Sequence, residues 1–177
     1  MKITVITGSA HKKGTSALLV DKFIEGAMEV GHKVFRFDAA FEKVNPCFAC
    51  EYCFSNNGKC VNDDSMYKLN EELMNSDVVV FATPLYYYTF SAQIKAVLDR
   101  FHANNAKLAG NKKAILMATS YGDADITMDG IDKTFDLTLG FLNWENAGTL
   151  YALGCPEREV METTEFPQKA YEMGKNL

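Results

Sequence analysis

The sequence is poor in histidine, tryptophan and proline, with 3 His, 1 Trp and 4 Pro among 177 residues. No two histidines stand at metal-binding spacing and no Ser/His/Asp set is in view, so hydrolase chemistry has no visible machinery. There is no Pro-rich linker, internal repeat or low-complexity tract, and the length fits one domain able to bury roughly 70% of its unfolded surface. No apolar run approaches the roughly 20 residues that a membrane helix needs. Only Ile3 to Thr7 separate the first lysine from Gly8-Ser9, too short an apolar region for an export signal. The expected setting is therefore cytoplasmic, without a membrane. Lys and Arg number 18 against 23 Asp and Glu, and the net charge is -5. The pairs Lys12-Lys13 and Lys112-Lys113 are isolated, so no basic stripe offers a nucleic-acid face.

Two familiar glycine loops are also missing. A P-loop places four residues between its glycines and then Lys-Ser/Thr, whereas five separate Gly8 from Gly14 and Thr15 follows directly. The fingerprint G-x-G-x-x-G fails at Ala10, which leaves Asp38 as a ribose-binding acid only in a degenerate version.

What the sequence does contain is a repeating strand-helix pattern. Lys2–Thr7 reads as a buried strand, and a helix over about 15–30 carries Leu19, Phe23, Ile24 and Ala27 on one face, with Gly31 as its stop. A second strand follows at His32–Asp38. Asp63 or Asp64 can cap a helix containing Met66, Leu69 and Leu73, and Asp77–Ala82 is a third, fully buried strand. A helix over about 90–102 groups Phe90, Ile94, Val97 and Phe101, and a fourth strand spans Ala114–Thr119. A helix near 126–142, a strand near 145–153 and a polar helix near 164–175 complete the chain. This alternation predicts an α/β fold, a five-stranded parallel sheet of order 2-1-3-4-5 with helices on both faces.

In such sheets ligands bind beyond the carboxyl ends of the strands, where loops 8–16, 83–89 and 120–125 would meet. Loop 8–16 joins a strand to a helix N-terminus, whose unpaired amides and dipole suit a phosphate, and Ser9, Thr15 and Ser16 add hydroxyls. It also fits a plain polar turn with Ser16 as N-cap. Thr83-Pro84-Leu85-Tyr86-Tyr87-Tyr88-Thr89 places three consecutive aromatics at a strand end, suited to a flat ligand or to packing on a neighbour. Ser120-Tyr121-Gly122 adds another aromatic beside a permissive glycine.

Five cysteines, an odd number, point to thiols or ligands over a disulfide scaffold. Cys47, Cys50, Cys53 and Cys60 follow C-x2-C-x2-C-x6-C in a long loop over 39–62. The close triple suits an iron-sulfur cluster better than four-sulfur zinc, and free thiols packed as small apolar groups remain a third reading. Cys155 reads as structural. Asp99-Arg100 reads as a solvated or structural ion pair. On the helix near 126–142, Ile131, Phe135, Leu139 and Leu142 share one face while Leu137 and Phe141 lie opposite, which predicts a homodimer or scattered exposed apolar residues.

Gly8-Ser9 through Ser16, Pro84-Leu85-Tyr86, Lys95 with Asp99-Arg100, and Asn143-Trp144-Glu145-Asn146 leading into Gly148-Thr149 together resemble the flavodoxin-like NAD(P)H-dependent FMN reductases and quinone-type oxidoreductases, a group that includes the iron-sulfur flavoproteins. The resemblance covers nearly the whole chain. It implies a three-layer sandwich forming a single FMN-binding domain over 1–177. It also implies that Ser9, His11, Gly14, Thr15 and Ser16 hold the FMN phosphate, and that Pro84, Leu85, Tyr86, Tyr87 and Tyr88, with Ser120, Tyr121 and Gly122, hold the ring. NAD(P)H would be the co-substrate and a quinone, another small molecule or a redox protein the acceptor, with no catalytic side chain required. For Cys47, Cys50, Cys53 and Cys60 it implies a [4Fe-4S] cluster exchanging electrons with FMN. Family members often carry proline and arginine where this chain has Ala10 and His11, so a permanent cation is replaced by a residue type that titrates near neutrality. A flavodoxin-type carrier that does not oxidise nicotinamide, and a redox or metal module built on the cysteines alone, are the alternatives.

Overall fold

The computed structural model describes residues Met1–Leu177. In chain order the elements are β1 (Lys2–Thr7), α1 (Thr15–Glu29), β2 (Lys33–Asp38), a short α2 (Tyr52–Ser55), α3 (Met66–Asn75), β3 (Val78–Pro84), α4 (Ala92–Arg100), α5 (Asn105–Leu108), β4 (Lys113–Thr119), α6 (Asp129–Leu142), β5 (Glu145–Ala152), α7 (Arg158–Glu162) and α8 (Phe166–Lys175). The five strands form one parallel sheet ordered β2-β1-β3-β4-β5, the predicted doubly wound arrangement.

Period-two alternation divides the core between two layers. Val79 and Phe81 of β3, with Leu116 and Ala118 of β4, point toward α3, α4 and α6 and join a cluster containing Phe101, Phe135 and Trp144. Val78, Val80 and Ala82, with Ile115 and Met117, point the other way toward Leu19, Phe23 and Ala27 of α1 and Ala170 of α8. There α1 and α8 cross at backbone distance. A Cβ on Gly174 would lie 2.1 Å from the Phe23 carbonyl oxygen, and one on Gly26 would lie 2.0 Å from that of Tyr171.

Helix ends obey local chemistry. Gly31, at φ 84°, closes α1 as the Gly31 amide donates to Met28 O and the His32 amide to Ala27 O, a Schellman pair. Ser91 caps α4 by accepting from the Ile94 amide, so the helix begins two residues later than expected and Phe90, although buried, precedes it. A 3-10 turn over Asp125–Met128 leads into α6, which shortens the predicted helix at its start. The segment before α8 contains α7, which the pattern of apolar residues did not disclose.

Candidate active site

The carboxyl ends of β1, β3, β4 and β5 open into a cleft of about 780 Å³. Its floor is built by the βα turn at Ser9–Thr15. The Ser9 hydroxyl accepts from the His11 amide at 3.1 Å and the Gly14 amide donates to His11 O at 3.1 Å, folding the turn on itself. Helix α1 starts at Thr15 after Gly14, with no side-chain cap, so Ser16 is not the N-cap. The first α1 amide to find an acceptor is that of Leu18, on Gly14 O, which leaves those of Thr15, Ser16 and Ala17 unpaired at the dipole's positive end. The Ser16 hydroxyl is buried on Thr119 Oγ1 at 3.0 Å, and the Thr15 hydroxyl donates to the same atom at 3.2 Å. Thus Thr119 pins the helix start to the end of β4.

The turn also lies hard against α4. A Cβ on Gly8 would sit 2.2 Å from Ser91 Oγ and 2.7 Å from Ile94 Cγ1, and the Ser91 hydroxyl donates to Gly8 O at 3.1 Å. His11, Lys12 and Lys13 form a basic rim, with Lys12 Nζ 4.7 Å from the centre of the Phe41 ring. Asp38 does not line the cleft, because its carboxylate accepts from the Thr7 hydroxyl and the Arg36 guanidinium within the sheet edge.

Pro84, Leu85 and Tyr86 form one wall, Ser120 and Tyr121 another. The Leu85 amide donates to Thr119 O, the Ser120 amide to Ala152 O and the Cys155 amide to Ser120 O, so the strand-end loops are stitched to one another by backbone. Tyr87 and Tyr88 do not line the cleft. They are the central pair of a tight turn closed between Tyr86 and Thr89, with φ of 48° and 64°, a conformation that aromatic residues rarely adopt. Tyr87 is 97% exposed. Gly130 permits the turn to rest on α6, where a Cβ would lie 2.5 Å from the Tyr88 carbonyl oxygen. Gly122 likewise stays outside the lining, its carbonyl taken by the Ser120 hydroxyl and the Gly154 amide.

The cysteine loop lies apart from this cleft, against α4. Cys47, Cys50, Cys53 and Cys60 all line one small pocket with a void of about 20 Å³. Cys53 is buried, Cys60 partly so, and Cys47 and Cys50 are exposed. The four thiols border one pocket, but as they lie no three His, Cys, Asp or Glu side chains stand so as to hold a metal ion. By residue type the donor set suits an iron-sulfur centre: four cysteine sulfurs bordering one pocket, an amide of Ala49 pointed at Cys47 Sγ at 3.5 Å, and positive-φ residues Ala49 and Glu51 that bend the chain there.

Arg100 secures that loop. It pairs with Asp64, not with its neighbour Asp99, which is bound by Lys95 at 2.6 Å. Nη1 donates to Asp64 Oδ2 at 2.7 Å and to Asn45 O at 2.8 Å, and Nη2 donates to Asp64 Oδ1 at 3.2 Å. Burial opposes ionisation of Asp64, but the bonds from Arg100 and from the Asn45 and Met66 amides prevail and hold its pKa below the usual 3.8.

Residues 1–128 match the family described as NADPH-dependent FMN reductase. The chain belongs to that family. It is 28% identical to an iron-sulfur flavoprotein of Archaeoglobus fulgidus over 161 residues, 87% of this chain and 68% of that protein. It is 33% identical to an iron-sulfur flavoprotein of Methanosarcina thermophila over 122 residues, 69% of this chain and 63% of that protein. The chain spans 51% to 68% of the length of the first three relatives of this kind. An NAD(P)H:quinone oxidoreductase from Methanothermobacter marburgensis shares the fold, with a TM-score of 0.73 at 18% identity, covering 99% of this chain and 98% of that one.

In this member of the FMN reductase family, sequence reasoning missed the segment Cys155–Glu159, which closes the cleft on the β5 side. It follows the fifth strand, so the same rule that gathered the other strand-end loops could have placed it there. Cys155 is wall, not nucleophile. Burial pushes its thiol pKa up, and the protonated Sγ donates to Leu153 O at 3.4 Å.

Proposed function

We propose that this oxidoreductase binds FMN in the cleft and uses it to pass electrons from NAD(P)H to a quinone or another acceptor, with a [4Fe-4S] centre in the Cys47–Cys60 loop. The observation carrying this reading is the set of unpaired Thr15, Ser16 and Ala17 amides beneath a cleft of about 780 Å³. A phosphate placed there meets convergent amide donors, the Ser9 hydroxyl, the Thr15 hydroxyl once it turns from Thr119, and the field of Lys12 and Lys13 beside His11. Pro84, Leu85 and Tyr86, facing Ser120 and Tyr121, supply a stiff, partly aromatic slot for a flat heterocycle. Bound FMN supplies the redox chemistry, accepting hydride from the nicotinamide and releasing electrons to the acceptor. The protein's part is to hold phosphate and ring, exclude water from one ring face and leave the other open to nicotinamide and acceptor in turn. Thiolates of Cys47, Cys50, Cys53 and Cys60 would hold the iron-sulfur centre, which stores single electrons.

Exposed Leu137 and Phe141 on α6 support the homodimer. The reading is tested by the absorbance spectrum of anaerobically purified protein: a yellow protein whose flavin bands bleach with NADH or NADPH is expected. A colourless protein that FMN cannot reconstitute overturns it, and a flavin indifferent to both nicotinamides makes the chain a carrier.

A further inference from the structure

Arg100 holds a donor that the protein itself does not use. The residue is 3% exposed, yet its Nε–H, fully buried, has no acceptor, while both Nη atoms are engaged by Asp64 and Asn45. A buried charged donor left without a partner is costly and uncommon in folded proteins, so the orphan points to a group the side chain is built to meet. Arg100 lines the same pocket as the four cysteines. Asp64 is paired with Arg100, and on the pocket wall Asp99 is paired with Lys95, while Glu51 has no ion-pair partner but is exposed and makes no hydrogen bond to the buried Nε.

We propose that Arg100 Nε–H donates to a sulfur of the iron-sulfur centre bound by Cys47, Cys50, Cys53 and Cys60, and that it sets the centre's reduction potential. The inference rests on the cysteine-loop reading above and deepens it. Four thiolates and an iron-sulfide core carry net negative charge, and one-electron reduction adds one unit more with no bond formed or broken. A charge-assisted N–H···S contact therefore stabilises the reduced form more than the oxidised form and raises the potential. The same guanidinium clamps Asn45, two residues before Cys47, and Asp64, four residues after Cys60, so one side chain of the pocket lining ties the loop at both ends. Lysine at this position could keep the charge but not the fork with a third, separately aimed N–H.

The test uses full-length protein grown with arginine carrying 15N at Nε, reconstituted anaerobically with iron and sulfide and reduced with dithionite. Arg36 and Arg158, the other two arginines, do not line the cysteine pocket. Pulsed EPR of the reduced centre is expected to show a 15N coupling, absent in Arg100→Lys, whose midpoint potential shifts negative. A reduced centre in the native chain without that coupling overturns the assignment of Arg100 and leaves the cysteine-loop reading standing. A chain that takes up no iron and sulfide overturns the loop reading and this inference together. The coupling is read on unmutated protein, so misfolding of the variant cannot mask the result.

Discussion

Asp64 and Arg100 leave water together, with side-chain exposures of 0% and 2%, so each is tolerable only while the other is charged and in place. Because the folded pKa of Asp64 lies below its usual 3.8, the pair stabilises the fold above that value and the contribution is lost as pH falls through the folded pKa. Asp64→Asn, which strands the guanidinium, is expected to cost about 3–5 kcal/mol at neutral pH. The gap from the native chain should narrow in acid, where native Asp64 also takes a proton. Urea unfolding across the acid range checks both statements, and a gap that widens on acidification would contradict the pairing. Gly8 presents the opposite constraint, since space is what it provides. Gly8→Ala forces a methyl to 2.2 Å from Ser91 Oγ, an overpacking worth about 1–3 kcal/mol. As the displaced segment is the phosphate turn, FMN affinity measured by flavin fluorescence titration should fall with the stability. Unchanged affinity would separate the turn from the cofactor.

Among the elements, the Tyr86–Thr89 turn carries strain where the strand-end wall is formed. Two left-handed aromatic residues in succession cost roughly 1–2 kcal/mol each relative to residues that accept that region. Tyr87 points into solvent and lines no part of the cleft. Tyr87→Asn is therefore expected to raise stability by up to about 1 kcal/mol with FMN affinity unaltered, read by calorimetry and titration. A loss of stability would mean that the exposed ring has a partner in solution. This turn also marks where sequence reasoning stops. The strands were legible because Val78–Ala82 is apolar on both faces of a parallel sheet, and Gly31 announced the end of α1 by the backbone conformation that it alone accepts cheaply. Nothing local in three tyrosines announces positive φ, which is imposed by the fit against Gly130 on α6. The same holds for the cysteine loop. Its spacing was visible, but the Arg100–Asp64 clamp joins residues far apart in sequence, and periodicity carries no information about which of two adjacent charges, Asp99 or Arg100, turns inward.

For the molecule as a whole, the unresolved balance lies on the outer face of α6. Its inner face is filled by Ile131, Phe135, Leu139 and Leu142, and so cannot account for Leu137 at 63% and Phe141 at 74% exposure. Phe141 also borders a groove of about 580 Å³ shared with Leu98 of α4 and with Cys47 and Ala49 of the cysteine loop. A standard interface takes about 800 Å² from each partner, roughly a tenth of the 9005 Å² of accessible surface. The outer face of α6 and the groove beside it could supply that area. In a two-fold dimer each side chain is buried twice, and full burial of a Leu or Phe is worth about 1.5–3 kcal/mol. Two pairs could thus offset a large part of the cost of association. Light scattering at micromolar concentration is expected to give twice the 19.7 kDa chain mass. Phe141→Glu and Leu137→Glu should each shift the equilibrium to monomer while leaving the far-ultraviolet circular dichroism unchanged, since neither touches the core. A native chain that scatters as a monomer would remove α6 as an interface and leave its apolar side chains as ordinary exposed surface. Because Cys47 shares the groove, the same dimer would cover one edge of the cysteine pocket, and in apoprotein free of iron and sulfide alkylation of Cys47 should be faster in Phe141→Glu than in the native chain.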